Sequence, residues 1–149
     1  MDKKTVILWS AVAVAIICCS AGVIWNITKG SKKVVVAPTP VFAPQGQLVP
    51  QFPTNLILDS NAAISGSYAI NYSSITNQYT AEYDSSSTMP TLYNDYQSYL
   101  PKNGWNVTGS LTTHPTFDAI AASQGHNQLQ VVISPYNKES QVTITYATE

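Results

Sequence analysis

The chain has 149 residues, only 10% of them charged and none of them Arg, with a formal net charge of −1 at pH 7. From Asn55 onward two lysines, Lys102 and Lys138, stand against seven acidic residues, leaving that portion near −5. A nucleic-acid partner requires a basic face to displace counterions, so the composition argues against DNA or RNA binding.

The first element is Val6–Ile27, about 22 residues without a charged side chain, set between Lys3/Lys4 and Lys29/Lys32/Lys33. As a helix it would be about 33 Å long, enough to cross a hydrocarbon core. A signal peptide would place its cleavage site at Cys19-Ser20-Ala21, but the apolar run continues past that point. A lipoprotein needs a small residue before the modified Cys, and Ile17 precedes Cys18. The segment therefore reads as an uncleaved single-pass anchor after a short tail, residues 1–5. Flanking lysines are nearly balanced and hardly set the orientation. An Arg-free domain rich in Ser, Thr, Asn, Gln and Tyr places residues 55–149 outside the cytoplasm. Both cysteines, Cys18 and Cys19, lie within the anchor, so the domain has no disulfide.

Residues 28–54 hold five of the nine prolines and no clear periodicity, which predicts an extended stalk. The domain is expected to begin at Asn55, with Asn55–Leu58 as a short first strand. Alternation in Ile64-x-x-x-Tyr68-x-Ile70-x-Tyr72 and in Gln78–Asp84 predicts a hairpin, turning at Ser73–Asn77, with Tyr79, Ala81 and Tyr83 on one face. A helix comes next, capped by Ser87 or Thr88, with Pro90 in its first turn and Pro101 and Gly104 at its end. Met89, Leu92, Tyr93, Tyr96, Tyr99 and Leu100 form its apolar stripe. Beyond it, Trp105-x-Val107 with Leu111, Phe117–Ser123, Leu129–Ser134 and Gln141–Ala147 read as strands. The predicted class is α+β: an N-terminal transmembrane helix, then one antiparallel sheet packed on a single amphipathic helix.

The run TLYNDYQSYLPKNGWNV, after QYTAEYDSSS and before the QVTITY strand, resembles small bacterial single-pass proteins with a Pro-rich stalk and a Tyr-rich helix ending in Gly-Trp. More distantly, the outline is similar to domains of outer-membrane assembly lipoproteins. The nearer resemblance covers roughly residues 56–146. It implies a fold and an address in the cell envelope, and no activity.

Residues that carry chemistry are sparse. His114, His126 and Asp118 would make a two-His, one-carboxylate metal site, but no local spacing supports it, and solvated loop histidines are the plainer reading. No Gly-x-Ser-x-Gly elbow, phosphate loop, zinc signature or dinucleotide fingerprint occurs, and no cofactor is expected. Glu82 and Asp84 lie two apart on a strand and share the face turned away from Tyr83. Tyr136, beside Pro135 in a turn, and Tyr93, at the edge of the helix stripe, are the tyrosines expected to be exposed. These four residues are the candidate ligand contacts. The sequence points to a non-enzymatic module that binds the bilayer through residues 6–27 and an envelope protein through its domain. A glycan or cell-wall ligand on exposed tyrosines is the alternative, and a small hydrolase ranks last.

Overall fold

A computed structural model describes residues 38–72 and 76–148. The expected anchor, Val6–Ile27, and the tail before it lie outside the described residues. Among the described residues no helix is long and apolar enough to cross a membrane.

Seven strands form one antiparallel sheet: β1 (Val41–Phe42), β2 (Ala63–Asn71), β3 (Asn77–Ser85), β4 (Asn106–Thr112), β5 (Asp118–Gln124), β6 (Asn127–Tyr136) and β7 (Glu139–Thr148). Their spatial order is β1-β2-β3-β7-β6-β5-β4. The last strand made thus lies at the centre, paired with β3 from Asn77↔Thr148 to Ser85↔Ser140 and with β6 from Gln128↔Ala147 to Tyr136↔Glu139. The β6–β7 turn, Asn137-Lys138, has positive φ at both residues, the twist that suits a two-residue hairpin. Among the described residues one α-helix, α1 (Met89–Lys102), crosses one face, and the α+β class of an antiparallel sheet on a helix is observed.

Capping at both ends explains where α1 begins and stops. Thr88 is extended at the N-cap and its side chain accepts a hydrogen bond from the Thr91 N–H. At the other end Gly104 takes φ +81°, the Trp105 N–H donates to Leu100 O at 3.0 Å, and the Gly104 N–H donates to Pro101 O at 3.2 Å. Those two bonds are a Schellman cap, which favours Gly at that position. Met89, Leu92, Tyr96 and Leu100 are buried, while Tyr93 and Tyr99 pack half-buried at the margins.

The core lies between the sheet and this helix: Tyr79, Ala81 and Tyr83 of β3, Ile120 and Ala122 of β5, Leu129, Val131 and Ile133 of β6, Val142 and Ile144 of β7. A helix about 10 Å wide cannot cover seven strands spaced about 4.8 Å apart. It packs on β4, β5 and β6, and the preceding chain covers the remainder. Val49, Phe52 and Leu56 are buried in the same core. The Val49 N–H donates to Ser67 Oγ, whose hydroxyl donates to Thr80 O, and Tyr79 Oη donates to Gln51 Oε1.

Two expectations are corrected here. Part of the predicted stalk, from Val41 onward, belongs to the folded domain, because its apolar residues are needed to finish the core. Asn55–Leu58 is no strand: Thr54–Leu56 makes a single 3-10 turn, seating Leu56 under the helix. There Tyr96 Oη donates to Leu56 O at 2.8 Å and lies 3.0 Å from Tyr83 Oη.

Candidate functional site

Among the described residues no helix packs on the face of the sheet opposite α1. The composition of that face is set by the strand register. Across β2, β3, β7 and β6 run the rows Ala63–Asp84–Gln141–Ser134, Gly66–Glu82–Thr143–Val132, Tyr68–Thr80–Thr145–Gln130 and Ile70–Gln78–Ala147–Gln128. The central rows are therefore mostly amides, hydroxyls and carboxylates, with Thr80 itself buried. Along its β4–β5 margin, Gly109, Ala119 and Ala121 floor a shallow depression of about 200 Å³ bordered by Leu111 and Gln130.

The β1–β2 margin is aromatic. Phe42 stands opposite Tyr68 and its ring packs on it, centroids 5.6 Å apart. Tyr72 stands two residues beyond Ile70 and donates its hydroxyl to Gln78 Oε1 at 3.2 Å. Partial burial, with a smaller contribution from Tyr68, raises the Tyr72 pKa. Phe42 is 69% exposed and Tyr72 46%.

Beside this margin lie two of the residues singled out by sequence. Glu82 and Asp84 both project onto the open face, as their spacing predicts. Glu82 is half-buried, and its carboxylate leans over Gly66: a Cβ there would sit 3.5 Å from Glu82 Oε2. Desolvation, then the neighbouring Asp84, raises the Glu82 pKa. Asp84 accepts a hydrogen bond from Gln141 Nε2 at 3.3 Å. Glu82 has no hydrogen-bond or ion-pair partner among the described residues.

Tyr136 lies at the end of β6, opposite Glu139, with the same facing and 40% exposure. Tyr93 does not belong to this face. It sits on α1, half-buried against the core, and accepts a hydrogen bond from Gln97 Nε2 at 2.9 Å.

Sequence reading did not single out Phe42, Tyr68 or Tyr72 as contacts. Phe42 falls in the predicted stalk, and alternation puts the two tyrosines on one strand face with Ile64. The register shows why that face divides. Ile64 pairs with Tyr83 and Gly66 with Glu82, so Ser65 is an extra residue, a β-bulge. A one-residue slip reverses every later side chain: Ile64 enters the core while Tyr68, Ile70 and Tyr72 emerge on the open side.

The histidines are not brought together. His114 lies in the β4–β5 turn and His126 in the β5–β6 turn, at opposite ends of β5, roughly 23 Å apart for seven residues of strand. His114 Nδ1 instead lies 3.2 Å from the buried carboxylate of Asp118. No group of three potential metal ligands occurs among them. Comparison with known protein families, characterised proteins and solved structures yields no match.

Proposed function

We propose that the chain is a non-enzymatic recognition module, tethered by Val6–Ile27 to a cell membrane, with its α+β domain facing the envelope and meeting another protein there. The observation that carries this reading is the pair of exposed rings, Phe42 and Tyr72, at the margin of the sheet face on which no described helix packs. Large exposed rings are what recognition surfaces use as anchors, and the polar field around them supplies hydrogen bonds. The sparse charge and the resemblance to single-pass envelope proteins support the address. Crosslinking in intact native cells, from a photoreactive residue placed at Phe42, tests it. A recurrent envelope protein joined at that position is the expected result; cytoplasmic partners would overturn the topology, and no partner would overturn the module.

The Phe42–Tyr68–Tyr72 margin also favours a second reading, a glycan ligand stacked on the rings. Pull-down with purified cell-wall material, lost on Phe42→Ala or Tyr136→Ala with the fold intact, would support it; binding unchanged by both would dismiss it.

A further inference from the structure

Resting on the recognition reading, we infer that the open face binds an extended, basic segment of a partner protein, with a Lys or Arg side chain laid across the Phe42–Tyr68 rings and its cation on Glu82. Three features support that occupant. The face carries Glu82 and Asp84, with Glu139 at its end, and no cation stands on its strands; among the described residues the lysines are Lys102, in the last helical turn, and Lys138, in the β6–β7 turn. Such a field attracts a positively charged partner and disfavours both an anionic polymer and a second copy of the same face.

Among the described residues Glu82 is half-buried and has no hydrogen-bond or ion-pair partner, and its carboxylate lies over Gly66, where a Cβ would be 3.5 Å away. An incoming ammonium or guanidinium group supplies the partner it lacks. Finally, Tyr68 lies one row from Glu82, about 7 Å along the strands, within reach of a lysine stem lying on the ring. The apolar stem of a Lys or Arg packs on such a surface while its charged head reaches past it. Glu82 and Asp84 are again about 7 Å apart, the repeat of alternate residues in an extended chain. The favoured pattern is therefore basic-x-basic, running along β3.

The test uses the full chain purified in detergent and a fluorescent heptapeptide alternating Lys and Thr. A Glu/Thr peptide of the same length serves as control, and a chito-oligosaccharide as competitor. Expected is binding of the Lys peptide with Kd of roughly 0.1–1 mM, below the usual strength of a full interface, weakening as salt rises. Glu82→Gln and Phe42→Ala should each weaken it about threefold to tenfold, with unchanged circular dichroism. Equal binding of the Glu/Thr peptide, or binding insensitive to both substitutions, overturns the inference. So does displacement by the oligosaccharide of a peptide held no more tightly than the control. If crosslinking at Phe42 captures an envelope protein while the Lys peptide fails to bind, the inference falls and the recognition reading stands.

Discussion

Removing one hydroxyl, by Tyr96→Phe, should loosen the joint between helix, sheet and preceding chain. Tyr96 is fully buried, and its hydroxyl donates to Leu56 O at 2.8 Å, so the Tyr83 hydroxyl, 3.0 Å away, must be the donor to Tyr96. Deleting the central oxygen strands a carbonyl and a hydroxyl where Tyr83 is 0% and Leu56 1% exposed. Each buried group left without a partner costs about 1–3 kcal/mol, so the loss should be about 2–6 kcal/mol. Tyr83→Phe removes only the donor to Tyr96 and should cost about 1 kcal/mol. In the double variant the Tyr83 hydroxyl is no longer there to be stranded, so the two losses should fall short of adding, by about 2 kcal/mol or more. Urea denaturation of the full chain, tracked by far-ultraviolet circular dichroism, reads all three values if the slope stays constant. Tyr96→Phe costing no more than Tyr83→Phe, or strictly additive losses, would refute the shared hydrogen-bond chain.

Alkali should reveal the same pair. Burial pushes Tyr83 up to about 12 and raises Tyr96 further, so the stability they contribute is whole below pH 10 and is lost as pH rises toward 12 and beyond; tyrosinate absorbance should show their ionisation only together with unfolding. Glu82→Gln should leave stability at pH 7 unchanged or raised: a raised carboxyl pKa means stability that is full at low pH and falls as the group ionises. The gain should vanish when melting is measured below pH 4. Ser67→Ala removes the bridge from Val49 N to Thr80 O and should cost about 1–2 kcal/mol, with faster hydrogen exchange at the Val49 amide than at core positions of β7. Gly104→Ala places a side chain at φ +81° with its Cβ 3.0 Å from Gln124 Nε2 and should cost about 1–2 kcal/mol in the same denaturation assay.

Where local chemistry decides, the fold was legible. The Thr88 and Gly104 caps, the helix stripe and the alternation of Tyr79, Ala81 and Tyr83 act over a few residues and can be read one by one. Two kinds of information lay beyond that range. Bulges at Ser65 and Thr108 reverse the facing of the later residues in their strands, so Leu111, four residues after Val107 in the same strand, emerges 51% exposed while Val107 packs on the core. Nothing in the local pattern marks a bulge until the partner strand is known. Nor does the Pro-rich stretch announce that Val49 and Phe52 are core residues; that depends on the width of a sheet that one helix cannot cover. Glu82 and Asp84 could be placed on the outward face because β3 contains no bulge. The aromatic margin beside them depended on one.

The central position of β7 bears on the order of events during synthesis. Strands β1–β3 and β4–β6 pair among themselves, and only the last strand, Glu139–Thr148, joins the two sets into one sheet. Until those ten residues leave the ribosome, each half exposes a long open edge, a template for pairing with other chains. Closing of the sheet is thus deferred until β7 has been made. A chain cut short by even one strand should behave as two unfinished sheets and become a substrate for proteases rather than a smaller version of the domain.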